Sequence, residues 1–293
     1  MMFQKIYNKI IDYYNINNVL LKDYYNNETQ TLIIPYIFNQ ELKNIPEDTK
    51  IIVFNNYSHD SIFNKKVYNL PKSLTKITFG HSFNKKVDNL PKNLTHLTFG
   101  SDFSKKIDNL PQKLTHLTFL LSIFTFNDKF NQKVDKLPKN LTHLTVGIYF
   151  NQKLNKLPKN LTHLTLGYYY NQKINNLPKN LTQLKLGYYY NQKLNKLPKN
   201  LTHLTFGFNF HQEVNNLPKT IKYLSLYCFN DLINNIPEYI EIINIRFINY
   251  IKYNKNIDNL PSTIKEIIIN HENFKKYIKI PFGCILTIKK LNN

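Results

Sequence analysis

Five histidines recur at one position of a repeated segment: His96, His116, His143, His163 and His203. Imidazole is a common metal ligand, and its charge changes near neutral pH, so such a row raises two chemical possibilities. A metal site needs ligands that converge on one point and are oriented from behind. A column of one residue type on a flat sheet does not converge, so the histidines read as surface; no metal or other cofactor is expected. Adjacent members would sit roughly 4.8 Å apart on an exposed concave sheet face and titrate near the ordinary value of about 6.5. Lys76, Gln183 and Tyr223 interrupt the column.

Beside it runs a threonine column of Thr78, Thr98, Thr118, Thr145, Thr165 and Thr205, the kind of residue expected on an exposed strand. Just after the strands come Tyr168, Tyr169, Tyr188 and Tyr189, with Ile148, Tyr149 and Phe208 in register. Adjacent exposed tyrosines on a rim are good interface anchors. Lysine forms two columns on the return side, Lys66, Lys86, Lys106, Lys133, Lys153, Lys173 and Lys193, and Lys72, Lys92, Lys139, Lys159, Lys179, Lys199 and Lys219. Stacked like charges repel, and such faces attract acidic proteins, nucleic acid or anionic membranes. The chain holds a single arginine, Arg246, which weakens any case for base-specific reading. Asn93, Asn140, Asn160, Asn180 and Asn200 begin N-L-T sequons, but these follow from the repeat itself. No nucleophile elbow, phosphate loop or paired-carboxylate motif is present, so an enzyme is not expected.

The net charge is +20, 42% of residues are hydrophobic, and neither alanine nor tryptophan occurs. Avoidance of residues with GC-rich codons points to an AT-rich coding sequence, which discounts part of the basic charge. The apolar content suffices for a continuous core. Cys228 and Cys284 suit a reduced, cytosolic protein. Residues 1–18 lack the apolar run of a signal peptide, and no segment reaches the roughly 18 apolar residues that span a membrane.

What must position these columns is a repeat. The units read FNKKVDNLPKNLTHLTFG from Phe83, FNQKVDKLPKNLTHLTVG from Phe130 and YNQKINNLPKNLTQLKLG from Tyr170. Pro71, Pro91, Pro111, Pro138, Pro158, Pro178, Pro198 and Pro218 recur every 20 residues except across one insertion. L-T-H-L-T-F, as in Leu94 to Phe99, suits a short strand with Leu97 and Phe99 inward and Thr98 outward. The F-N-x-K-V-x-x-L-P segment cannot be a regular helix, because proline restricts itself and its predecessor. One such unit cannot bury its own apolar side; stacking copies makes a parallel sheet with columns of Leu, Phe and Val behind it. Phe99, Leu97, Leu110 and Phe103 are expected in that core. Six of the seven glycines follow a strand, where they would permit a turn, and the Asn after each Phe would satisfy backbone groups there.

Weaker copies extend the pattern to Thr29–Ile34 and Thr49–Phe54 on one side and to Ile240–Ile245 and Ile264–Ile269 on the other. That makes about 12 strands, with a closing one near Ile285–Ile288. Insertions break the period at Asn55–His59, Leu120–Phe126 and about Phe247–Tyr250.

The units resemble FNIP repeats, a variant of the leucine-rich repeat known from social amoebae and the giant viruses that infect amoebae. The F-N, I/L-P and L-x-x-L-x-F-G pieces match over most of residues 29–270. The resemblance implies a horseshoe-like solenoid, protein binding and no catalysis. Some members carry an N-terminal F-box linking substrates to a ubiquitin ligase; residues 1–28 lack the L-P start of one.

The expected organisation is an N-terminal cap over residues 1–28, helical from the spacing of Phe3, Ile6, Tyr7, Ile10, Ile11 and Tyr14. A leucine-rich-repeat-like solenoid follows over 29–293, regular from about 63 to 227: a single parallel β-sheet with irregular or 3₁₀ return segments. The expected function is a monomeric, cytoplasmic scaffold (host cytoplasm, if the protein is viral). It would bind a protein through His143, His163, His203, Thr145, Thr165, Tyr168 and Tyr188. The alternatives are electrostatic binding of nucleic acid or another polyanion by the lysine columns and, by family analogy alone, substrate recognition for a ubiquitin ligase.

Overall fold

A computed structural model describes residues 20–54, 61–120, 128–212, 217–227, 231–247 and 256–289. The helix expected within residues 3–14, the insertions at 55–59, 121–126 and 248–250, and Cys228 lie outside them. The chain forms two compact units, Met1–Gln152 and Lys153–Asn293.

Each repeat opens with a turn. In P-x-x-L the proline carbonyl accepts the leucine N–H three residues on, at 3.1 Å for Pro91 and Leu94 and again for Pro178 and Leu181. This turn takes up the first residues of the L-T-H-L-T pattern, so the strands begin two residues later than the pattern alone suggests. In the first unit they are β1 (Tyr25–Asn26), β2 (Thr31–Ile34), β3 (Ile51–Phe54), β4 (Lys76–Thr78), β5 (His96–Phe99), β6 (His116–Phe119) and β7 (His143–Thr145). In the second they are β8 (His163–Thr165), β9 (Gln183–Lys185), β10 (His203–Thr205), β11 (Tyr223–Tyr227), β12 (Ile242–Arg246), β13 (Glu266–Ile269) and β14 (Ile285–Ile288). Within each unit neighbouring strands pair in sequence order. β1 runs antiparallel to β2, and the other described pairings are parallel. Both units are leucine-rich-repeat-like solenoids with irregular returns. Helix among the described residues is limited to 3₁₀ turns at Leu21–Tyr24, Asp231–Asn235 and Glu272–Tyr277.

The apolar columns pack behind the sheet as expected: Leu97, Phe99, Phe103 and Leu110 are all buried. In the first unit the repeats of β4, β5 and β6 each contribute two phenylalanines, one ending the strand and one from the following turn, while the repeat of β7 pairs Val146 with Phe150. Phe99 stacks on Phe103 at 3.7 Å within its repeat, and Phe103 on Phe83 at 6.2 Å across repeats. In the second unit the strand position holds Leu166, Leu186 and Phe206, and the turn position Tyr170, Tyr190 and Phe210. Tyr170 and Tyr190 are fully buried, and their rings stack at 6.3 Å.

The glycines serve a different purpose from the one expected. Among the described glycines only Gly283, outside the repeat position, has a positive φ. A Cβ on Gly100 would lie 2.2 Å from the Gly80 carbonyl oxygen, and one on Gly207 1.8 Å from that of Gly187. Glycine is needed because consecutive turns stack backbone on backbone, not because the turn requires a left-handed residue. The asparagines also reach across repeats: the Asn84 side chain accepts the Ser104 N–H at 3.0 Å, and the Asn171 side chain accepts the Asn191 N–H at 2.9 Å. Just after the insertion that ends at Phe126, Asp128 takes over such a role. Its buried carboxylate accepts the N–H groups of Ile148 at 2.7 Å and Phe130 at 3.1 Å, and burial pushes its pKa up.

Candidate functional site

The strand residues that face away from this core form the candidate surface. In the first unit the His96 and His116 rings stack at 4.1 Å, as do His116 and His143. The sequence pattern suggested freely exposed rings; stacking leaves all three half-buried. Their chemistry is set by the threonine before each one. Thr95 donates its hydroxyl hydrogen to the Thr75 carbonyl at 3.0 Å, so its 2.9 Å contact with His96 Nδ1 makes the ring the donor. Thr115 with His116 and Thr142 with His143 repeat the arrangement. The neutral rings are therefore Nδ1–H tautomers with Nε2 as acceptor.

Loss of water lowers the pKa of His96, helped by the charges of Lys76 and His143, and lowers that of His143, helped by His116. For these two histidines the direction departs from the ordinary value that the sequence suggested. The Thr95, Thr115 and Thr142 hydroxyls were missed as functional groups, although the repeated T-H dipeptide was their signal. Thr145, at the outer column position of β7, is half-buried. Among the described residues no group of three His, Cys, Asp or Glu could hold a metal ion.

In the second unit the surface is less regular. His163 on β8 contacts the Thr162 hydroxyl through Nδ1 at 2.8 Å, and Thr165 follows it on the same face. Gln183 and Lys185 on β9 replace the His–Thr pair, and His203 on β10 stacks on Tyr223 of β11 at 5.2 Å. Along the rim, Tyr168 stacks on Tyr188 at 4.4 Å and Tyr188 on Phe208 at 4.7 Å. Tyr169 and Tyr189 stand outside this row, exposed and stacked at 5.2 Å. Ile148, grouped with the rim from the sequence, is buried instead.

Tyr227 meets Phe208 edge-on at 5.3 Å and Tyr188 at 6.2 Å, and Arg246 lies over the Tyr227 ring at 5.7 Å. The aromatic row thus ends at the chain's one arginine, a connection that the repeat pattern does not reveal. The lysine columns are exposed on the return side. There Lys153 and Lys173 line a polar groove with Asn155, Asn171 and Gln172.

The model of the FNIP Repeat matches at residues 38–82, 83–122, 126–169, 150–189, 170–207 and 190–229, more than half of the chain. The chain belongs to the FNIP repeat family. Among solved structures, these FNIP repeats are similar to CroV588, described as a circular leucine-rich-repeat protein, from the giant virus CroV. The identity is 31% and the TM-score 0.61, over 88% of this chain and 43% of that one, so the FNIP chain spans less than half of that protein's length. YopM from Yersinia enterocolitica matches at 17% identity and a TM-score of 0.49, over 85% of this chain and 61% of that one. No curated protein matches the FNIP chain. Among the described residues no helix is long and apolar enough to cross a membrane.

Proposed function

We propose that this FNIP chain is a non-enzymatic scaffold, acting as a cytoplasmic monomer, that binds a partner protein through its sheet face and tyrosine rim. The observation that carries the reading is the aromatic row Tyr168–Tyr188–Phe208, backed by exposed Tyr169 and Tyr189 and set beside the polar column of His163, Thr165 and His203. Tyrosine offers a large contact area at low entropic cost, and the neighbouring polar groups give hydrogen-bonding specificity. His143 and Thr145 present the same residue types on the last strand of the first unit. The repeat-built, rigid sheet needs little ordering on binding, which favours affinity.

The second reading, capture of nucleic acid or another polyanion, is favoured by the return-side groove that Lys153 and Lys173 line with amides and no carboxylate. Salt separates the two: a polyanion is released steeply as salt rises, whereas a shape-matched protein persists. The test is affinity capture from a cytosolic extract at low and high salt, with Tyr168→Ala/Tyr188→Ala set against Lys153→Glu/Lys173→Glu. The scaffold reading expects salt-resistant capture that the tyrosine pair abolishes. Capture that survives loss of the tyrosines and fails with the lysine reversal replaces it with the electrostatic one.

A further inference from the structure

We propose that Lys185 and Arg246 form a cation pair that receives the carboxylates of an acidic polypeptide segment, laid across β9 to β12 beside the aromatic row. The inference rests on the scaffold reading of this face and names the chemistry of its partner. Lys185 stands on β9 where the neighbouring strands carry Thr165 and Thr205. Arg246 ends β12 in register with Tyr227, which touches the rim through Phe208 and Tyr188. Lys185 stands exposed on that face and Arg246 half-buried at the end of β12; partial desolvation and, after it, the Arg246 charge lower the Lys185 pKa.

Nothing between them compensates. The intervening outward positions hold Thr205, Ser225 and Asn244, all neutral. The Asn244 amide donates to the Tyr223 hydroxyl at 3.1 Å, and the covered Ser225 hydroxyl has no hydrogen-bond partner. Two other cations near this face are neutralised: Glu241 holds Lys222 at 3.0 Å and Lys265 at 2.7 Å. Neither Lys185 nor Arg246 makes an ion pair among the described residues.

Two cations without a counter-ion, on a stretch of the face that is otherwise neutral, each favour an arriving carboxylate. The guanidinium fork suits a carboxylate bidentately, and its place over Tyr227 holds it ready. The extent of the site selects a polypeptide over a small anion. The cations lie three strands apart and two residues out of register, roughly 16 Å at strand and residue spacing, and the aromatic row runs beside them. An extended chain with alternate acidic residues spans that distance and lays apolar or aromatic side chains on the rim.

The test measures fluorescence anisotropy of a labelled 12-residue polyglutamate peptide on the full chain at physiological salt. Lys185→Thr, which restores the repeat's own residue, is combined with Arg246→Gln. The control, Lys153→Gln/Lys173→Gln, removes the same charge from the return side. The cation-pair variant is expected to weaken binding about tenfold or more, and the control by less than about twofold. Lys185→Thr alone gives a partial loss and keeps the test available if the double variant does not fold. Equal weakening by the two variants, or equal competition by single-stranded DNA of matched charge, overturns the inference in favour of diffuse electrostatics. If the cation-pair variant binds normally while Tyr168→Ala/Tyr188→Ala still abolishes protein capture, this inference fails and the scaffold reading stands. Capture that ignores the tyrosine pair removes the scaffold reading itself.

Discussion

The two units are built on one repeat but are filled differently. In the first, Phe79, Phe99 and Phe119 end the strands and Phe83, Phe103 and Phe130 stack against them, with ring separations of 3.7 to 3.8 Å within repeats. In the second, leucine replaces the strand phenylalanine in two repeats and tyrosine replaces its partner, which places hydroxyl groups inside the core. The surfaces differ in the same sense. The first unit carries an unbroken ladder of His96, His116 and His143; the second breaks its ladder with Gln183 and Lys185 and adds the tyrosine rim. Regular filling favours stability, because identical units repeat the same nearest-neighbour contacts. Departures from regularity mark where a surface can be distinctive.

The contrast can be broken first at the core. Phe83→Ala in the first unit is expected to cost about 3–5 kcal/mol in denaturant unfolding, from lost transfer energy plus the cavity left between stacked rings. A cost below about 1 kcal/mol would show that the ring column does not hold the unit together. Next comes the insertion. Asp128→Ala strands the N–H groups of Ile148 and Phe130 and is expected to cost about 1–3 kcal/mol. An unchanged unfolding midpoint would mean that the carboxylate does not repair the ladder.

Smaller, and opposite in sign, is Tyr190→Phe. The Tyr190 hydroxyl is buried without a hydrogen-bond partner, and burial raises its pKa. Its removal is expected to stabilise the second unit by about 1 kcal/mol. Destabilisation would show a polar role for the tyrosine and blur the contrast between the two cores.

The smallest effect concerns pH. His96 and His143 have folded-state pKa values lowered below 6.5, chiefly by loss of water, so the unfolded chain binds their protons more readily. Their contribution to stability is present above pH 6.5 and is lost as pH falls through the lowered values. Thermal melts from pH 7.5 to 5 are expected to show a falling midpoint that His96→Gln flattens in part. An identical pH dependence in the variant would remove the ladder from the account.

Much of the fold could be read from spacing. Pro every 20 residues, L-x-x-L and the following glycine located the strands to within two residues, including β2, β3, β12, β13 and β14 in the degenerate copies. The two-residue offset arose because the P-x-x-L turn overlaps the strand pattern, and hydrogen bonding decides where one yields to the other. Spacing showed that glycine was required but not why: a close carbonyl approach and a left-handed turn leave the same trace in sequence.

The histidine, threonine and tyrosine columns were legible for the same reason as the strands, since each occupies one repeat position. The Lys185–Arg246 relation was not. It joins strands three apart, across a shift to a 19-residue offset in which Tyr223 pairs with Ile242. A repeat pattern reports what recurs, whereas this pair arises from two departures that only the folded register brings together.

The most direct test of the central claim, that recognition resides on the second unit's sheet face and rim, is hydroxyl-radical footprinting of the chain with and without its captured partner. The account predicts protection of Tyr168, Tyr188, Phe208 and Tyr227, with the return-side positions and the rings of His96 and His116 unchanged. Protection confined to the return side, with the tyrosine rim as reactive in the complex as in the free chain, would contradict it.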